Sequence, residues 1–61
     1  MALTRIAGGD CGFDDCPTIF TTDKDTIAVK GYVIHKETAA GEAVVEIPLA
    51  VFQEAARALG R

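Results

Sequence analysis

The spacing Cys11-x4-Cys16 is the first feature of this chain that could do chemistry. Thiolates are good zinc ligands, and Asp10, Asp14, Asp15 or His35 could complete a set of four. The spacing is looser than in most zinc knuckles, and no second cysteine pair exists. Two thiols without metal are therefore expected, with a zinc site on Cys11 and Cys16 as one alternative and redox pairing as another. His35 is the only histidine and could serve as a base or a ligand. Beside Lys36 at a predicted strand end, it reads as a solvated residue. Asp23 and Asp25 flank Lys24. Paired carboxylates can share acid–base work, but aspartates in turns more commonly cap backbone amides. With one histidine and no serine, the chain offers no nucleophile, base and orienter together, and no enzyme is expected. Apart from the zinc alternative, no cofactor is expected.

The elements that must position these residues are organised around GEAVVEIPLAVFQEAARALG, from Gly41 to Gly60. At about 100° per residue, Leu49, Phe52, Ala55, Ala56 and Leu59 share one side of a helix, with Val51 and Ala58 at its margins and Gln53, Glu54 and Arg57 opposite. Pro48 suits the helix start and Gly60 its end, so strand and helix are expected to join directly at Ile47-Pro48. Upstream, Thr18 to Thr22 reads as a strand, 23–25 as a polar turn, Thr26 to His35 as a long strand and Ala43 to Ile47 as a third. Gly31 in the middle of the long strand predicts a bulge or bend. Residues 1–15 read as a flexible arm, and 16–61 as a single domain. The predicted fold class is α+β: a three-stranded antiparallel meander followed by one C-terminal amphipathic helix.

Both faces of the long strand carry large apolar groups, more than one covering helix requires. In a chain of 61 residues, 49% of them hydrophobic, that surplus predicts a homodimer or an obligate complex. Val29, Tyr32, Ile34, Phe52 and Leu59 are the expected core or interface residues, and Phe20 is expected in the core. The net charge of −3 and the scattered basic residues argue against binding to phosphate backbones. No apolar run reaches the ~20 residues that span a bilayer, and the N-terminus lacks the apolar stretch of a secretory signal. A cytoplasmic protein is expected.

Two families share features with these residues. The string VVEIPLAVFQEAARALG resembles the strand-proline-helix of AbrB-type swapped-hairpin DNA-binding domains, through Ile47-Pro48 and Leu59-Gly60. Here the helix is a turn longer, Phe52 stands where that motif tends to carry arginine, and no hairpin follows. Cys16 to Leu59, with CPTIFTTDKDTIAVKGYVI, GEAVVEIP and an alanine-rich helix, is similar to small actinobacterial accessory regulators of the AbaA and BldB type. Many of these are encoded beside WhiJ-type helix-turn-helix regulators. That resemblance implies a small acidic, non-enzymatic partner that modulates a DNA-binding protein, in an antitoxin-like pairing. An AbrB-like dimer on DNA is the alternative function, and a zinc-binding module on Cys11 and Cys16 a second.

Overall fold

The computed structural model describes residues 2–9 and 16–60. Five strands precede one helix: β1 (Leu3–Gly8), β2 (Thr18–Thr22), β3 (Ile27–Lys30), β4 (Tyr32–Ile34), β5 (Val44–Glu46) and α1 (Leu49–Leu59). β1, β2 and β3 form an antiparallel meander, and β4 pairs with β5 in a separate antiparallel hairpin. The class is α+β with a C-terminal helix, as the sequence predicts.

Two differences have clear physical causes. Leu3 to Gly8 is the first strand of the meander rather than part of a flexible arm. Ala7 pairs with Ile19, and an irregularity between Arg5 and Ala7 sets Ile6 against the core as well. Residues 10–15 of the expected arm lie outside the described residues. The expected long strand is cut at Gly31, so that its first half pairs with β2 and its second half with β5. The cut follows from crowding. A Cβ on Gly31 would overlap the carbonyl oxygen of Glu46 and stand 2.8 Å from Cγ2 of Ile47. The two crossing points of the chain therefore form a neck between meander and hairpin.

The β2–β3 turn is held by its polar side chains, as its composition predicts. Thr22 and Thr26 share a hydroxyl hydrogen bond of 2.6 Å, the Lys24 amide donates to Oγ1 of Thr22 at 3.0 Å, and Asp25 adopts φ 60°. Aspartate tolerates that left-handed conformation better than most residues. At the helix start, Pro48 is the N-cap, one position earlier than a first helical residue, and its carbonyl accepts from Val51 N–H at 3.0 Å. Gly60 ends the helix, donating its N–H to the Ala56 carbonyl at 2.9 Å.

The core is small. Ala7, Ile19 and Ala55 are buried together, with Ile6, Ile47 and Val51 packed against them. Helix α1 lies over β1 and β2, inserting Val51 and Ala55, and leaves β3 largely uncovered. The inward stripe of the helix thus runs through Val51 and Ala55, while Leu49, Phe52 and Leu59 are exposed. Val29 and Ile34 are likewise exposed rather than in the core, and Phe20 is half-buried on the opposite face of the sheet, paired with Arg5 and Ala28. Volume decides this outcome: alanine at 7 and 55 lets helix and sheet approach closely, and the larger side chains are left at the flank.

Candidate functional site

Cross-strand partners lie on the same face of a sheet. Ile19 pairs with Val29 and Thr21 with Ile27, so Ile27 and Val29 lie on the helix side of the sheet. Because α1 stops short of β3, an open furrow runs between them. It is lined by Ile27 and Val29 from β3, Phe52, Ala56 and Leu59 from α1, and Ile47 from the neck, with Ile19 and Ala55 at its floor. Its volume is about 300 Å³, and no charged side chain lines it.

The hairpin is a second apolar surface. Tyr32, Ile34 and Val44 lie on one of its faces and Val33 and Val45 on the other. Its contacts with the rest of the fold are slight, and Tyr32, Val33 and Ile34 are all exposed. An isolated two-stranded hairpin is marginal in water, so both faces gain from being covered.

Among the described residues, Leu3, Ile27, Val29, Tyr32, Val33, Ile34, Leu49, Phe52 and Leu59 are exposed, and no large side chain is fully buried.

All five residues expected in a core or interface, Val29, Tyr32, Ile34, Phe52 and Leu59, are therefore at the surface, in two groups. Val29, Phe52 and Leu59 line the furrow; Tyr32 and Ile34 belong to the hairpin. The sequence selection omitted Ile27, Ile47 and Ala56 from the furrow and Val33 from the hairpin. Ile27 was legible in principle, since it shares a strand face with Val29; Ala56 becomes part of the wall only through its placement beside Phe52.

The polar candidates remain apart. Cys16 is buried and disulfide-bonded, not a thiol. A disulfide sulfur is not a thiolate and cannot serve zinc as one. Cys11, Asp10, Asp14 and Asp15 lie outside the described residues, among which no cluster of metal-ligating side chains occurs. His35 is exposed beyond the end of β4, and Asp23 and Asp25 lie in the β2–β3 turn. Lys24 lies in the β2–β3 turn, Lys30 at the end of β3, Lys36 in the β4–β5 loop and Arg57 on the helix. A more polar open cleft of about 370 Å³ is lined by Arg5 to Gly8 of β1 and by Glu54 of the helix. There, Arg5 donates to the Gly8 carbonyl at 2.8 Å and the Gly8 amide donates to Oε1 of Glu54 at 3.3 Å, which ties the helix to β1.

No helix among the described residues is long and apolar enough to cross a membrane. Comparison with protein-family models, curated proteins and solved structures finds no match to this chain.

Proposed function

We propose that this protein is a non-enzymatic interaction module, an accessory or antitoxin-like partner that docks onto a helix-turn-helix transcription regulator and modulates it. The observation that carries the reading is the set of large apolar side chains exposed among the described residues, on the furrow and on the hairpin. Surfaces of that kind mark sites of association. A net charge of −3 suits a basic partner such as the DNA-contacting face of a regulator. The hairpin, with Tyr32, Val33 and Ile34 exposed, is the surface offered to that partner, and the chain itself is a homo-oligomer. Such a role belongs to the cytoplasm; the disulfide-bonded state of Cys16 counts against that compartment, where reductants keep cysteines as thiols.

The scattered positions of Lys24, Lys30, Lys36 and Arg57 give direct DNA binding no basic stripe. The decisive experiment is affinity purification of the tagged chain from its native host, followed by a DNA-retardation assay of any helix-turn-helix protein recovered. The expected result is a recovered regulator whose DNA binding changes on adding the chain and stops responding to Tyr32→Ala/Ile34→Ala. Recovery of no DNA-binding protein, or of one indifferent to the chain, would sink the proposal.

A further inference from the structure

We propose that the furrow between α1 and β3 is a peptide-binding groove, which takes an extended segment of another protein as a further strand on the open edge of β3. This rests on the reading of the chain as an interaction module, and names the chemistry that the furrow recognises.

The backbone of β3 points to a strand. β3 pairs with β2 alone, so its other side is an edge of the meander. The Thr22 amide donates to the Thr26 carbonyl at 3.1 Å, which marks Thr22 and Thr26 as a hydrogen-bonded pair. In an antiparallel ladder such pairs alternate with pairs that do not bond each other. Phe20 with Ala28 and Thr18 with Lys30 are then the next bonded pairs, while Ile27 and Val29, opposite Thr21 and Ile19, turn their N–H and C=O groups outward. Ile27 and Val29 also line the furrow with their side chains. The same two residues thus supply a free backbone edge and an apolar wall.

That combination selects the occupant. An open edge asks for donors and acceptors at strand spacing, which neither a helix face, its backbone groups bonded within the helix, nor a lipid tail can supply. An added strand supplies them, and its residues opposite Ile27 and Val29 share their face, where Phe52, Ala56 and Leu59 bound the furrow. No charged side chain lines that space, so these two residues of the ligand, at i and i+2, are apolar. Lys30, the charged residue of β3, falls on the other face.

The remaining edges are poorer templates. β1 is interrupted by the irregularity between Arg5 and Ala7, and β4 and β5 are three residues each. The β2–β3 register runs unbroken over four pairs.

The test is selection from a displayed library of short random peptides on the immobilised wild-type chain, followed by titration of a selected peptide into isotope-labelled chain. The expected peptides carry apolar residues two positions apart, and their binding shifts the amide resonances of Ile27 and Val29. N-methylation of the peptide at one alternate set of residues should weaken binding about tenfold, and methylation of the residues between them should not. Phe52→Ala, at a side chain already 58% exposed, should weaken binding about tenfold as well and leave the circular dichroism unchanged. Val33→Ala, on the hairpin, should bind as the wild type does.

Should Phe52→Ala fail to fold, the methylation series on the wild type decides alone. Selection of no peptide, shifts confined to Val33 and Ile34, a response to methylation without alternation, or undiminished binding by folded Phe52→Ala would overturn the proposal. So would intermolecular Overhauser contacts to Ile27 and Val29 from a second copy in the absence of peptide. No regulator is present in these measurements. A chain that binds such peptides but captures no regulator therefore defeats only the regulator, and one that captures a regulator while rejecting every peptide defeats only the groove.

Discussion

Ile19 and Val29 stand directly opposite each other on the β2–β3 ladder, yet Ile19 is 3% exposed and Val29 44%. Their side chains point to the same face and differ by one methylene. The contrast follows from cover and position: α1 lies over β1 and β2, and Val29 stands on the edge strand that the helix leaves open. The uncovered half of the sheet is the furrow.

That contrast predicts unequal costs for equivalent truncations. Ile19→Ala should lower stability by about 2–4 kcal/mol, through lost burial and the cavity left behind. Val29→Ala should cost about 1 kcal/mol or less, since roughly half of its side chain is already in water. Urea titration of both variants checks this. Equal losses would mean that β3 is covered by something within the same chain.

The neck predicts a backbone effect at Gly31. Adding a Cβ there forces apart Gly31 and Glu46, and the obstructing atom is a backbone carbonyl rather than a flexible side chain. Gly31→Ala should cost about 1–3 kcal/mol, as overpacking does elsewhere. Gly41 is a useful contrast: its φ is 83° but a Cβ there meets nothing within 4 Å. Gly41→Ala should therefore cost only the conformational term of about 1–2 kcal/mol, and should leave amide exchange in β4 and β5 unaltered. Accelerated exchange in the hairpin on Gly31→Ala alone is the distinguishing readout, and its absence would refute the role given to the neck.

Glu54 ties the helix to β1 by accepting from the Gly8 amide at 3.3 Å. Glu54→Ala should lower stability by about 0.5–1.5 kcal/mol, the usual net worth of such a bond, and speed hydrogen exchange at Gly8. A Gly8 amide that exchanges as in the wild type would mean that the bond is not maintained in solution.

The oxidised state of Cys16 separates two kinds of stabilisation. A reductant should destabilise the fold by about 2–4 kcal/mol, as loss of a native cross-link commonly does. A chelator should leave the melting temperature unchanged, because a disulfide-bonded sulfur is not a thiolate ligand. The reverse pattern, with sensitivity to chelation and indifference to reductant, would restore the zinc alternative. Thermal melts under the two treatments check it.

The sequence by itself determined what depends on near neighbours. Pro48 and Gly60 bound the helix because their backbones act locally; Thr18 to Thr22 is a strand from its own β-branched and aromatic residues; Asp23 to Asp25 turns the chain through its polar side chains. The apolar surplus was also legible, as was a disturbance at Gly31, because both are properties of composition and of a missing Cβ. Only the tertiary structure decided where that surplus lies. Leu3 to Gly8 becomes a strand because Ile6 and Ala7 find a core built largely from β2 and α1, and a segment with so little alternation carries no local sign of that. Cys16 is oxidised, a state that the spacing from Cys11 left open. Phe52 and Leu59 were legible as an apolar stripe but not as an exposed one, since periodicity fixes which residues share a side of a helix and not which side meets the sheet. The packing of Ala55 against Ala7 and Ile19 settles that orientation, because alanine at 7 and 55 brings helix and sheet close together and leaves Phe52 and Leu59 at the flank.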